Sequence, residues 1–234
     1  MPHLYDRPLF RLVGDRGLLV EYGSAVDPEV NRKVRAAALA LEKAPPDGMV
    51  EVIPTYRSLM IVYDPKATDV EQLEEVLGSL EKRMGELEIP PPKHIEIPVC
   101  YGGNFGPDID FVAETNGLSV DQVIAIHSGR AYQIYMMGFT PGFPFLGGLP
   151  EVLHTPRLET PRLVVPAGSV GIANNQTGVY AIDSPGGWRL IGRTPLKLFN
   201  PERENPFLYR AGDLITFKSI SRDEYHRLAE RGGL

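Results

Sequence analysis

Apolar positions along the first 90 residues alternate between two periods. Leu9 to Val13 and Leu18 to Tyr22 are short apolar runs on either side of Gly14-Asp15-Arg16-Gly17, a turn sequence, and predict two strands. The period then lengthens to that of a helix. Val30, Val34, Ala38 and Leu41 share one face, Asp27 stands where a capping oxygen is needed, and Pro28 occupies a first helical position that can do without its N–H. Pro45-Pro46-Asp47-Gly48 stops that helix. Val50 to Ile53 and Leu59 to Tyr63 read as two further strands. Thr68-x-x-Glu71 has the form of a capping box, opening a second helix whose expected buried stripe is Leu73, Val76, Leu77, Leu80 and Met84. The order is β-β-α-β-β-α, an α+β pattern with helices on one face of a sheet.

Pro90-Pro91-Pro92 breaks the pattern, because three prolines hold a stiff extended segment and cannot continue a helix. The expected division is residues 1–89 as a small α+β domain and residues 90–234 as a second, mainly β domain. Ile95, Ile97 and Val99 alternate with His94, Glu96 and Pro98, the period of a strand. Two short helices follow, the second opened by Ser119-x-x-Gln122 and ended by Gly129. Beyond Ala131 the chain is a series of short strand-like runs broken by Gly, Pro and Asn: Tyr132 to Met137, Leu163 to Val165, Val170 to Ala173, Val179 to Ile182, Trp188 to Ile191 and Leu214 to Lys218. Such spacing predicts a barrel or a sandwich, with a terminal helix over Ser221 to Arg231.

Charge narrows the function classes. A net charge of −6 argues against general affinity for nucleic acid or an anionic membrane. No apolar run approaches the roughly 18 residues of a membrane span, and the residues after Met1 lack the basic start and apolar block of a signal peptide. A single cysteine excludes an internal disulfide and fits the cytoplasm. Cys100 reads as a small buried hydrophobe or as a nucleophile; its neighbours supply no basic group to hold a thiolate.

Several standard sites are absent: there is no P-loop, and no G-x-S-x-G elbow, because Ala167 stands where its first glycine belongs. The five histidines are scattered, so no metal site is expected. Three segments carry candidate chemistry. In the first, His127 ends a helix and Gly138, Phe139, Gly142 and Phe143 follow. Glycines between aromatics let backbone approach a ligand walled by rings, or serve a turn that packs its rings inward. His127 is either a proton carrier or a helix-terminal structural residue. In the second, Thr155-Pro156-Arg157-Leu158 repeats five residues later as Thr160-Pro161-Arg162-Leu163. Proline stiffens the approach to each arginine, whose fork suits phosphate or carboxylate; pairing with Glu151 or Glu159 at the surface is the alternative. The third segment gathers Gly168, Ser169, Gln176, Ser184, Gly186, Gly187, Trp188 and Arg193. It reads either as a set of barrel turns or as loops whose amides and side chains bind an anion.

These segments resemble one family. The resemblance lies in Ile97-Pro98-Val99-Cys100-Tyr101-Gly102-Gly103, His127-Ser128-Gly129, Gly138-Phe139-x-Pro141-Gly142-Phe143, Pro161-Arg162-x-x-Val165-Pro166-Ala167-Gly168-Ser169-Val170 and Ser184-Pro185-Gly186-Gly187-Trp188-x-x-Ile191-Gly192-Arg193-Thr194. The family holds the B subunit of 5-oxoprolinase, the sporulation kinase inhibitor KipI and allophanate hydrolase subunit 1, and resembles half of the carboxyltransferase region of urea amidolyase. It implies a cyclophilin-like β-barrel for the second domain. It further implies an ATP-dependent hydrolase that opens the cyclic amide 5-oxoproline to glutamate. In that system the chain would work with two partners, the homologous barrel protein known as the C subunit of 5-oxoprolinase and a third chain, the A subunit. ATP with Mg²⁺ would be the co-substrate of that complex. Under this reading His127, Arg162 and Arg193 are the catalytic candidates. Arg157, Gly138, Phe139, Gly142, Phe143, Gly168, Ser169, Gln176, Ser184, Gly186, Gly187 and Trp188 are the candidates for holding substrate or phosphate. Two other readings stay open: a KipI-like inhibitor of a sensor histidine kinase, and the carboxyltransferase half of a urea-degrading system. The latter would need biotin from another protein, since this chain has no Met-Lys-Met carrier sequence.

Overall fold

A computed structural model describes residues 3–83 and 89–232. The chain divides into two compact units, Met1–Pro91 and Pro92–Leu234. The first holds β1 (Leu4–Val13), β2 (Gly17–Gly23), α1 (Pro28–Lys43), β3 (Met49–Pro54), β4 (Ser58–Tyr63) and α2 (Val70–Arg83). Its strands form an antiparallel sheet in the order β1-β2-β4-β3. Leu18, Val20, Tyr22, Leu59 and Ile61 on the sheet pack against Val30, Val34 and Leu41 of α1 and Leu73 and Leu77 of α2. Each such side chain contributes about 1.5–3 kcal/mol on leaving water.

Asp27 caps α1, its carboxylate accepting from the amides of Glu29 and Val30 at 2.8 and 3.3 Å. The second helix starts differently from its sequence signature. Asp69 Oδ1 accepts the Gln72 amide at 2.9 Å, while Thr68 is buried and donates its hydroxyl to the Gln72 side chain. A carboxylate one residue closer to the helix displaces the threonine as cap. Val76 is exposed rather than in the stripe, because Leu73 and Leu77 already fill the sheet-facing side; Met84 lies outside the described residues.

The second unit is built on a closed barrel. Its strands are β5 (His94–Tyr101), β6 (Ala131–Met137), β7 (Pro144–Gly147), β9 (Ser169–Ala173), β10 (Gln176–Val179), β12 (Arg189–Arg193) and β13 (Leu214–Ser219). They close in the order β10-β7-β6-β13-β5-β12-β9. All neighbours are antiparallel except β5 and β13, which run parallel. The interior is filled by Ile97, Val99, Tyr132, Ile134, Leu146, Val170, Ile172, Ile191, Ile215 and Phe217, so the barrel is a packed core and not a channel. Helices α3 (Ile109–Asn116), α4 (Val120–Ser128) and α5 (Arg222–Glu230) decorate it. In α4 both halves of the Ser119–Gln122 capping box are made. A two-stranded ribbon, β8 (Arg162–Val165) with β11 (Ser184–Gly186), stands apart from the barrel sheet. Neither β7 nor β11 has the alternation that marks a strand, and Tyr180 to Ile182 leave the ladder that Val179 ends. No helix among the described residues is long and apolar enough to cross a membrane.

Candidate functional site

Five aromatic rings gather where the β6–β7 loop meets the ribbon. Phe143 is the centre, its ring edge-to-face with Phe145 at 5.0 Å, Tyr180 at 5.2 Å, Trp188 at 5.4 Å and Phe139 at 5.6 Å. That geometry directs ring edges at ring faces, the favoured arrangement for aromatic quadrupoles. The rings wall a cavity of about 420 Å³ completed by Arg157, Pro161, Pro185, Gly186 and Gly187. The size falls within the roughly 300–1,000 Å³ usual for small-molecule sites.

The local backbone explains why the glycines are there. A Cβ on Gly186 would overlap the Tyr180 ring and hydroxyl. The Tyr180 ring meets the Trp188 ring edge-to-face at 6.4 Å. Burial raises the Tyr180 phenol above its ordinary range, opposed by the Trp188 N–H and by the nearby charges of Arg157 and Arg162. Phe139 takes a left-handed backbone with φ of 65°, in a tight turn where Thr140 N–H donates to Gly138 O and Phe143 N–H to Thr140 O. This strained residue is also exposed, at 63%, and its ring stands at the mouth of the cavity.

Arg157 is the charged side chain among the cavity's lining residues, and no carboxylate among the described residues pairs with it. An apolar box with a guanidinium at its edge can take an apolar ring on its walls and an anionic group at the arginine fork.

The structure separates the remaining sequence candidates from this cavity. Arg162 is not a free fork: Nη2 pairs with Asp108 Oδ1 at 2.8 Å and Nη1 donates to Trp188 O at 3.4 Å. Its partner is therefore Asp108, neither Glu151 nor Glu159. Arg193 Nε donates to Ala167 O at 2.8 Å, holding the turn in which Gly168 has φ of 82°. The amides of that turn are engaged internally: Ala167 to Asp183 Oδ1, Gly168 to Tyr180 O and Ser169 to Pro166 O. With these donors occupied and Ser169 buried, the Gly168-Ser169 loop offers no cradle for phosphate. Gln176 begins β10 and Ser184 begins β11; neither lines the cavity, and the Ser184 hydroxyl is buried without a partner. Gly138 and Gly142 shape the Phe139 turn, Gly142 O accepting the Tyr209 hydroxyl at 2.8 Å.

His127 corrects the expectation of a proton carrier most sharply. It is wholly buried inside the barrel, stacked on Phe217 at 4.6 Å. Thr177 Oγ1 donates its single hydrogen to Gly171 O at 3.0 Å, so it accepts from His127 Nε2–H at 2.8 Å. Nδ1 then accepts from the Tyr101 hydroxyl at 2.8 Å. The ring is the neutral Nε2–H tautomer, and burial pushes its pKa down to about 3. It serves the core. Cys100 is likewise buried, and burial raises its thiol pKa despite the charge of Arg222, which suits a small hydrophobe. Among the described residues no three His, Cys, Asp or Glu side chains gather to hold a metal ion.

Asp108, which holds Arg162 beside the cavity, is a residue the sequence did not single out. It carries no motif, and its partners Arg162 and Leu190 lie 54 and 82 residues away.

Comparison with known proteins gives a consistent picture. The carboxyltransferase domain family, subdomains C and D, matches residues 8–209. The chain is 45% identical over 230 residues to the 5-oxoprolinase B subunit of Bacillus subtilis, covering 93% of this chain and 95% of that protein. The crystal structure of TTHA0988 superposes with a TM-score of 0.79 at 40% identity over 88% of this chain, which spans only 40% of that longer chain. The Kluyveromyces lactis urea carboxylase shares the fold, with a TM-score of 0.75 at 20% identity over 97% of this chain and 24% of its own.

Proposed function

The chain belongs to the carboxyltransferase domain family, together with the B subunits of 5-oxoprolinase, and on that footing we propose that it is the B-type component of an ATP-dependent 5-oxoprolinase. The observation that carries the reading is the aromatic cavity with the unpaired Arg157 at its edge. 5-Oxoproline is a small, nearly flat ring with one carboxylate. Its ring faces would lie against Trp188 and Phe143, and its carboxylate would meet the Arg157 fork.

The lactam carbonyl is a poor electrophile because the ring nitrogen shares its lone pair with it. ATP would supply a phosphoryl group to the carbonyl oxygen, with ADP leaving; one water would add at the carbon, the ring nitrogen would take a proton and leave as the C–N bond breaks, and a second water would hydrolyse the resulting acyl phosphate to glutamate and phosphate. This chain's part is binding, orientation and exclusion of water by the aromatic walls. The amides of the Gly168-Ser169 turn and the Arg162 fork are engaged internally, as is Arg193 Nε, so this loop does not fit a triphosphate with Mg²⁺. We assign the nucleotide to a partner, either the homologous barrel protein of the C type or the A-type component.

The test is reconstitution. Glutamate formation from 5-oxoproline and ATP is expected only when this chain is combined with its C-type and A-type partners, and not from the purified chain alone. Robust turnover by the isolated chain, or full turnover by the partners without it, would overturn the proposal. In parallel, 5-oxo-L-proline should change the fluorescence of Trp188, the single tryptophan of the chain.

A further inference from the structure

We infer that Asp108 is a positioning residue for the cavity, holding the Arg157-bearing strap and the Trp188 wall at a fixed separation. The inference rests on the reading that this cavity binds the ring and carboxylate of 5-oxoproline.

The strap, residues 155–162, is fastened at several points: Arg189 Nε donates to Pro156 O at 3.2 Å and Asn116 Nδ2 to Thr155 Oγ1 at 3.1 Å. Thr155 bridges Asn174, Leu158 N–H donates to Gly187 O at 2.8 Å, and Arg162 pairs with Asp108. The facing segment, residues 186–190, is fastened by the same aspartate. Asp108 Oδ2 accepts the Leu190 amide at 2.7 Å, and the Asp108 amide donates back to Leu190 O at 2.9 Å. Arg162, held on Oδ1, reaches over with its other nitrogen to Trp188 O. One carboxylate thus spans both walls: one oxygen holds the strap's arginine, the other holds the strand that continues from Trp188.

The carboxylate stands at the entry to α3, whose Phe111 ring lies 3.6 Å beneath the Arg189 guanidinium, so the helix backs the same segment. Asp108 and the Arg162 side chain are largely withdrawn from solvent, at 11% and 29% exposure. A charged pair in that setting holds geometry more tightly than one at the surface. Asp108 itself lines no part of the cavity, so its effect on a ligand passes through Arg162 and the two walls.

The experiment uses the full chain, with Trp188 fluorescence as the readout and two probes. 5-Oxo-L-proline touches both walls through ring and carboxylate, whereas 2-pyrrolidinone has the ring alone. In Asp108→Asn the amide oxygen can still accept from Leu190 N–H, but the charge that holds Arg162 is gone. The expected result is an affinity for 5-oxo-L-proline about tenfold weaker, the scale of one misplaced charged hydrogen bond, with under about twofold change for 2-pyrrolidinone. Arg162→Lys, which keeps the charge and loses the second prong to Trp188 O, should shift the same ratio in the same direction. Equal weakening for both probes would mean general loosening of the fold and would overturn the inference, as would unchanged binding of both. If the wild-type chain responds to neither probe, the cavity assignment itself fails, which is a different outcome from a wild type that binds and a variant that binds equally well.

Discussion

Replacing His127 with glutamine tests the core of the second unit through its pH dependence. The folded chain holds this ring neutral, its pKa pushed down to about 3 by complete burial, while the unfolded chain takes up a proton near the ordinary 6.5. The sign follows from proton uptake. The unfolded state binds the extra proton, so the stability linked to His127 is fully present above pH 6.5 and is lost as pH falls, until the folded ring protonates near 3. At pH 5 the unfolded state is favoured by about RT ln(1 + 10^1.5), or about 2 kcal/mol. Glutamine removes the titration, at the cost of the stack on Phe217 and an imperfect replacement of the bonds to Tyr101 and Thr177. The variant should therefore be less stable at pH 7.5 by about 1–3 kcal/mol, and the gap should shrink by about 2 kcal/mol at pH 5. Urea unfolding followed by Trp188 fluorescence measures both, since Trp188 and His127 lie in the same compact unit. A gap that stays constant between the two pH values would mean His127 titrates normally and is not held neutral.

Two further changes probe the site and its frame. Arg157→Gln should weaken 5-oxo-L-proline binding by about ten- to a hundredfold, measured by the same fluorescence titration, and leave the melting temperature within a degree or two because the guanidinium has no carboxylate partner among the described residues. Gly168→Ala should destabilise the second unit by about 2–4 kcal/mol in a thermal melt, because a Cβ there meets the Thr194 carbonyl and the backbone sits at φ of 82°; a loss under about 0.5 kcal/mol would contradict the stated conformation.

What was legible in the chain was whatever depends on neighbours in sequence. Asp27 before Pro28, and Ser119 three residues before Gln122, sit within one helical turn of the groups they satisfy, and both caps form. The same locality misled at Thr68, where Asp69 competes for one amide and wins. Long-range partners left no trace in spacing. His127 looks like a helix-terminal residue until Tyr101 and Thr177, 26 and 50 residues distant, enclose it. Arg162 and Arg157 occupy equivalent places in a repeated motif, yet Asp108 engages one and leaves the other at the cavity. Gly168 and Gly186 of the third segment are required by close approach, to the Thr194 carbonyl and the Tyr180 ring, whereas Gly187 has room for a side chain. The aromatic gathering around Phe143 was half visible: its first members are close together in the chain, whereas Tyr180 and Trp188 come from either side of the ribbon's second strand.

The parallel pairing of β5 with β13 has a kinetic consequence. Residues 94–99 lie against residues 214–219, and the Lys93 amide reaches the Asp213 carboxylate across 120 positions of chain. The barrel's first strand must therefore wait for its last before the ring of strands can close, and the entropy of that long loop is lost before most of the ladder forms. During synthesis the delay is on the order of ten seconds, in which Ile95, Ile97 and Val99 present an open edge to the cell. A nascent chain halted between Met137 and Leu214 should behave as an aggregation-prone fragment, since its barrel would lack the strand that joins β5 to β6.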